Sequence, residues 1–261
     1  MRDSDARFRH VLRGFHVAVA PIVNLILFEP SETTAPLPLT DARAQHLLRV
    51  LRRRPGDAFD CGLVNGPRGK GVIDVVGPDA LMLRFTWETV VPSSEPVTLL
   101  TGLPRPQTAR DILRETAALG VSALHFVLTE KGEPSYARST LWSAGEWRQQ
   151  LIAGAEQAFT TRLPEVYQAR PLPDALSVLP PGGTRLALDN YETSDSLGRA
   201  HFLDDKVIVL AIGAERGWSG RERDLLRQHQ FRLVHLGARV LRTETATIAA
   251  LSIVRAKLGL M

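Results

Sequence analysis

Cysteine is all but missing from the chain: Cys61 stands alone among 261 residues. No internal disulfide can form, and no Cys-x-x-Cys pair exists for structural zinc or thiol redox chemistry. A lone thiol suits a reducing compartment such as the cytoplasm. Long apolar runs are missing too, since nothing approaches the roughly 18 consecutive apolar residues of a membrane-spanning helix. There is no GxxxxGK(S/T) and no strand-linked GxGxxG, which weighs against P-loop ATPases and nicotinamide enzymes. HExxH and GxSxG are likewise absent, and no metal is expected. The sequence has neither an internal repeat nor a low-complexity tract.

What remains is a globular composition, 44% hydrophobic and 23% charged, with a mean hydropathy of −0.05. The length permits one large domain or two ordinary ones. The formal net charge is only +4, so its distribution says more than its size. From Ala42 to Arg54 there are five arginines (Arg43, Arg49, Arg52, Arg53, Arg54) and no acid. That density makes a candidate phosphate-binding face, with a solvated helix face as the plain alternative.

Residues 1–14 are arginine-rich, and Phe15 to Phe28 is largely apolar. Asp3 and Asp5 in the charged part, and His16, Pro21 and Asn24 in the apolar part, argue against a secretory signal. Ile22–Phe28 is therefore expected to be the first strand, preceded by a loosely attached tail over residues 1–22.

The first third reads as β-rich, with short runs at Asp57–Val64, Gly71–Val76, Leu81–Trp87 and Val97–Leu103 separated by Pro-Gly and Gly-Pro turn signals. One helix interrupts them, with Thr40 as its expected N-cap and Ala44, Leu47, Leu48 and Leu51 on one face. Several short strands with one helix suggest a small barrel. After Glu95-Pro96 strands alternate with helices: Thr108–Leu119, Ala123–Leu128, Glu146–Phe159, Thr184–Leu188, Val207–Ile212, Arg221–His229, Phe231–Leu236 and Thr243–Leu258. Alternation at this spacing predicts a parallel sheet covered by helices, with the boundary between two domains near residue 95.

Ligands of open parallel sheets bind at the carboxyl ends of strands. Three segments stand at such ends: Leu186 to Glu192, Gly213 to Trp218, and Leu236 to Ala246. In the second, Gly213 and Gly217 allow a sharp turn and close backbone approach. Ser219 and Glu222 behind it form a capping-box pattern that opens the next helix. Such a glycine turn taken alone is more often structural than functional.

Taken together and in this order, the three segments resemble the RsmE family, the 16S ribosomal RNA uridine N3-methyltransferases of the SPOUT (trefoil-knot) class. The family pattern Ile-Gly-Pro-Glu-Gly-Gly-Phe/Trp is similar to IGAERGW at Ile212–Trp218, and LGxRILRxETA is similar to LGARVLRTETA at Leu236–Ala246. His46–Arg52 with Pro55-Gly56-Asp57 resembles the family's N-terminal signature. Leu119-Gly120-Val121, Glu156-Gln157 and Pro164-Glu165-Val166 add further matches, so the likeness runs from about Asn24 to Leu258. Family members begin near Asn24, which makes residues 1–22 an extension and Val23 a candidate alternative start.

The resemblance implies a PUA-like RNA-binding β-barrel over residues 23–94 and a knotted α/β methyltransferase domain over 95–261. It implies S-adenosyl-L-methionine as cofactor, 16S rRNA or the small ribosomal subunit as partner, a homodimer, and no membrane or metal. Leu188, Gly213, Ala214, Glu215, Gly217, Leu236, Gly237, Val240, Leu241 and Thr243 become the cofactor-binding candidates. Methylation of uracil N3 requires loss of the N3 proton, because the neutral imide nitrogen has no available lone pair. A nearby guanidinium lowers the cost of the anion, so Arg242 and Arg239 are catalytic candidates, with Glu244 to orient one of them or accept the proton. Arg49, Arg52 and Arg53, expected on the barrel helix, and Arg105 at the entrance of the second domain are the RNA-contact candidates.

Two departures stand inside the second segment: Ala214 replaces the family's proline and Arg216 a glycine. Either the loop is reshaped around arginine, or a cation lines the pocket mouth. Elsewhere, Glu115 and Ala118 replace the lysine and glutamate of the family's QKATELGV. Two other readings remain open: a methyltransferase of the same fold acting on another RNA, and a non-catalytic RNA-binding or ribosome-assembly factor.

Overall fold

The computed structural model describes residues 25–202 and 207–261. The expectations for residues 1–22, for a start at Val23 and for the beginning of the first strand lie outside the described residues.

The first sheet holds β1 (Ile26–Phe28), β2 (Leu37–Pro38), β3 (Ala58–Leu63), β4 (Arg68–Val76) and β5 (Ala80–Trp87), in the order β1-β3-β4-β5-β2. Only the β1–β3 pair is parallel. Its inward face buries Phe28, Phe59, Ile73 and Leu81 together with Leu47 of the intervening helical segment. That segment is α1 (Ala42–Gln45), continued by a π-helical turn over His46–Val50.

Three expectations for this segment need correction. Asp41, not Thr40, is the N-cap, its side chain accepting the Arg43 N–H at 2.8 Å. Arg43 does not join a free basic face. Its guanidinium donates to Glu32 and Asp41 and lies 4.9 Å from the centre of the Phe28 ring. Arg52 and Arg53 lie beyond the helical turns, not on a helix face, and Arg52 leaves them at φ +54°.

The second sheet holds β6 (Val97–Gly102), β7 (Ala123–Leu128), β8 (Glu165–Pro171), β9 (Thr184–Leu188), β10 (Ile208–Ile212) and β11 (Arg232–Val234). All six are parallel, in the order β11-β9-β10-β6-β7-β8. Successive side chains of a strand face opposite ways, and here each face has its own helices. Leu99, Ile208, Leu210 and Ile212 pack with α2 (Pro106–Ala118), α4 (Glu146–Gln157) and α7 (Thr243–Lys257). The short helix α3 (Thr140–Ser143) adds Leu141 and Trp142 to that layer. Leu100, Val209, Ala211 and Leu233 pack with α5 (Leu172–Ser177) and α6 (Gly220–Gln228). Covering both faces is what permits the uninterrupted apolar run of β10. The expected α/β parallel-sheet architecture is the observed one.

The sequence pattern missed β8, which is an edge strand with half-buried polar residues, a bulge opposite β7 and proline at its end. The expected strand Phe231–Leu236 shrinks to Arg232–Val234, because His235 turns aside to bridge Ser196. The two sheets are fastened through α4 and the loop behind it. Leu27 N–H donates to Glu156 Oε1 at 2.9 Å, and Leu163 N–H to Asn65 Oδ1 at 2.9 Å. Burial of Glu156 at this junction pushes its carboxyl above the usual range.

Candidate functional site

The segments after β9, β10 and β11 meet at one end of the sheet and line a pocket of about 140 Å³ that opens to solvent.

The first wall begins where β9 ends. Asp189 is buried, and its Oδ1 accepts the N–H groups of Tyr191 (2.8 Å) and Glu192 (2.7 Å). Its Oδ2 accepts Arg223 Nε of α6 at 2.6 Å. Arg223 also donates to Glu192 Oε1 at 3.0 Å and lies 5.2 Å from the centre of the Tyr191 ring. Arg227, and then Arg223, hold the Glu192 carboxyl below the usual range.

The second wall is a tight turn after β10, closed by Gly217 N–H donating to Ala214 O at 2.8 Å. Gly217 takes φ +63°, while a Cβ on Gly213 would stand 2.7 Å from Gly217 Cα. One glycine is thus required by angle and the other by space. Arg216 is not among the described residues with positive φ. The left-handed angle falls on Gly217, so arginine is tolerated at the tip of the turn, exposed and lining the pocket mouth. Neighbouring loops pin this turn. Glu215 Oε1 accepts the Arg105 N–H at 2.9 Å, and Lys131 Nζ donates to Trp218 O at 2.8 Å. The Ser219–Glu222 capping box forms as expected, and Glu222 Oε1 also accepts the Glu130 N–H at 2.7 Å.

The third wall is secured by His235. Its Nδ1 accepts the Gly237 N–H at 2.9 Å, which puts the proton of the neutral ring on Nε2, 3.1 Å from Ser194 O. His235 N–H donates to Asp195 O, and Leu197 N–H to His235 O. The chain leaving β9 therefore runs against the chain leaving β11.

Of the sequence-derived candidates, Leu188, Gly213, Ala214, Glu215, Gly217, Leu236, Val240, Leu241 and Thr243 line the pocket, and so does Arg239. Gly237, at φ +115°, supports the third wall without lining it. Arg242 is the N-cap residue of α7 and Glu244 lies in that helix's first turn, both outside the lining. Among the described residues no ion pair engages Arg239, Arg242 or Glu244. Arg49, Arg52, Arg53 and Arg105 are all exposed, the first three on the first sheet's helical segment and its exit. Arg105 stands apart from them, at the N-cap of α2 beside the pocket.

Sequence reasoning singled out neither Asp189 nor Arg223. The end of β9 marked the first, whereas nothing local links it to a residue 34 positions away. Cys61 is fully buried and burial pushes its thiol up to about 12, so it packs and does not react. Among the described residues no three metal-ligating side chains cluster, and no helix is long and apolar enough to cross a membrane. The pocket offers apolar side chains for a flat ring, loop backbone for its polar edge, and carboxylates to favour a cation.

Residues 91–255 match the family model described as RNA methyltransferase domain. The chain is 37% identical over 243 residues to ribosomal RNA small subunit methyltransferase E of Treponema pallidum, covering 90% of this chain and 91% of the relative. It is 29% identical over 242 residues to ribosomal RNA small subunit methyltransferase E 1 of Borreliella burgdorferi, covering 90% and 99%. The fold is shared with the crystal structure of ribosomal RNA small subunit methyltransferase E from Neisseria gonorrhoeae bound to S-adenosyl methionine. That likeness has a TM-score of 0.71 at 24% identity, covering 90% of this chain and 98% of the other.

Proposed function

The chain belongs to the RsmE family of ribosomal RNA small subunit methyltransferases, and from that premise we propose how its pocket carries out methyl transfer to N3 of a uridine in 16S rRNA. It is an S-adenosylmethionine-dependent rRNA methyltransferase. The observation that carries the reading is the convergence of three strand-end loops on a single pocket.

The residues present fit the cofactor. Gly217 leaves open the space a Cβ would fill, Ile212, Leu236, Val240 and Leu241 suit an adenine face, and Glu215, without an ion pair among the described residues, favours positive charge. When bound, the cofactor supplies a methyl group on a sulfonium as electrophile. The protein's own part is orientation and charge. Arg239 lines the pocket and has no ion pair among the described residues, which supports giving it stabilisation of the negative charge on the uracil imide, with Arg242 three residues on as the second candidate. The carboxylates of the pocket are committed: Asp189 to Arg223 and two N–H groups, Glu215 to Arg105. Glu244 is left as the carboxylate of the third segment to accept the N3 proton. Glu244 stands outside the pocket lining, so the arginine contributes the larger effect.

The first sheet, with its own buried cluster, is read as a PUA-like RNA-binding unit over residues 23–94, joined to a methyltransferase domain over 95–261. The pairing of residues 195–197 with His235 supports reading the end of the second domain as a trefoil knot. Around the pocket mouth Val240 is 82% and Tyr191 76% exposed, with Leu241 and Ile248 nearby in sequence. Apolar surface of that kind supports a homodimer in which a second copy covers it. Ribosomal RNA as substrate, with a single buried thiol, supports a cytoplasmic location.

Calorimetric titration of the purified protein with S-adenosylmethionine and with its demethylated product tests the pocket. Saturable binding at one site per chain is expected. No binding by a folded protein would reduce it to an RNA-binding factor of the same fold.

A further inference from the structure

Three neighbouring strands of the second sheet, β10, β6 and β7, each end in a loop that carries an arginine. Arg216 is at the tip of the turn after β10, and Arg105 caps α2 after β6. Arg138 ends the 3-10 turn Pro134–Arg138 that follows β7. All three are exposed, and among the described residues none takes part in an ion pair.

The loops are bound to one another, so the arginines keep a fixed order. Glu215 accepts the Arg105 N–H, Lys131 reaches Trp218 O, and Glu222 accepts the Glu130 N–H. Leu103, before α2, and Glu133, in the loop after β7, line the same narrow cleft. Ser135 hydrogen bonds hold the Glu133 carboxyl below the usual range, and Arg138 and Arg216 act on it from the same side of the balance.

Counted alone, the charges here nearly cancel, since Glu130, Glu133 and Glu215 stand among them. Among the described residues, however, none of these carboxylates forms an ion pair with Arg105, Arg138 or Arg216: Glu133 and Glu215 each accept a backbone N–H, and Glu130 faces Arg221 at 3.8 Å. Arg105 Nε donates to Thr108 Oγ1 at 3.1 Å, which leaves its two terminal nitrogens, with the exposed guanidinium groups of Arg138 and Arg216, for a ligand, and arginine's fork is matched to phosphate. Neighbouring strands are about 4.8 Å apart, so the three strand ends that carry these loops span roughly 10 Å, a scale that suits two or three successive phosphates of one strand.

We propose that Arg216, Arg105 and Arg138 form a phosphate track for the substrate RNA, leading from the pocket mouth along the carboxyl edge of the sheet, with Arg216 holding the phosphate nearest the target nucleotide. This rests on the reading of the pocket as the methyl-transfer site. Arg216 and Arg138 are positioning residues: they touch the RNA backbone and set which nucleotide reaches the pocket. The basic exit of the first sheet's helical segment, at Arg52 and Arg53, is a separate contact.

The test measures affinity for an in vitro transcript of small-subunit rRNA across about 50 to 200 mM salt. Full-length wild type is compared with Arg138→Ala, Arg216→Ala, the double variant and the two lysine substitutions. Cofactor affinity is titrated on the same samples. Each alanine should weaken RNA binding several-fold and flatten the log–log salt slope by about 0.7–0.9, the double variant by about twice that, and lysine should restore the slope. A double variant with the wild-type slope overturns the track. So does an Arg216→Ala protein that loses cofactor affinity while its RNA slope is unchanged, because Arg216 then belongs to the cofactor site. Wild type that binds the transcript with no salt dependence sinks the RNA reading itself, and the track with it.

Discussion

Arg223 of α6 and Asp189 at the end of β9 form a buried ion pair, Nε to Oδ2 at 2.6 Å, that ties two walls of the pocket together. Asp189 folds the first wall by accepting two backbone N–H groups, and α6 starts at the capping box directly behind the second wall. Movement of either wall therefore strains the other.

Arg223→Met leaves the Asp189 carboxylate buried with only its backbone donors. Breaking a buried pair from one side costs about 3–5 kcal/mol. Chemical denaturation should show a loss of that order, and cofactor affinity should fall at least about tenfold. Arg223→Lys, which keeps the charge but not the fork, should fall between the two. Wild-type cofactor affinity in a destabilised Arg223→Met protein would separate the pair from the pocket.

The two glycines of the second wall should differ in their response to alanine. At Gly217 there is open space and only the left-handed angle is strained, a cost of about 1–2 kcal/mol. At Gly213 the new methyl meets backbone, and the turn must move. Titration should find cofactor binding abolished in Gly213→Ala and merely weakened in Gly217→Ala; the reverse order would contradict this geometry.

Arg239→Ala should lower kcat by about 10² to 10³, as loss of one charge-stabilising donor does, with a smaller change in KM for the cofactor. Arg239→Lys should recover part of the rate. Glu244→Gln should cost less than Arg239→Ala, because Arg239 lines the pocket and Glu244 does not. Equal rates in Arg239→Ala and wild type would remove the arginine from the chemistry.

His125 lies buried on β7, stacked on Tyr167 at 4.5 Å, and burial, helped by Arg170, depresses its pKa to about 4. The unfolded chain titrates it near 6.5. Between those values the unfolded state binds the extra proton, so stability from this group is complete above about 6.5 and is lost as pH falls towards 4. The loss should approach about 2–3 kcal/mol. The stability of wild type relative to His125→Phe, which keeps a ring at this position, should fall by that amount between pH 7 and pH 4. Parallel pH profiles would show that His125 is not the group responsible.

Much of the architecture was legible because its signals are local. Apolar runs with turn punctuation located β6, β7, β9 and β10, and the three pocket segments are each contiguous in sequence. What escaped depends on distance or on weak pattern. Arg43 looked free because Asp41 and Glu32 lie just outside and well outside the acid-free window, and only the fold brings them to it. The polar edge strand β8 has no alternation to read. The conflict anticipated at Arg216 dissolves because Gly217, one residue on, takes the positive angle. The Asp189–Arg223 pair spans 34 residues, and no periodicity announces it.

The central claim is methyl transfer to a uridine N3 of small-subunit rRNA from this pocket. It is tested most directly by incubating the protein and labelled S-adenosylmethionine with 16S rRNA, free and in assembled small subunits, and digesting the RNA to nucleosides for mass spectrometry. Label is expected in N3-methyluridine at one position, and is lost in Gly213→Ala. Label in another nucleoside or a ribose, or none with a protein that binds both cofactor and RNA, would contradict it.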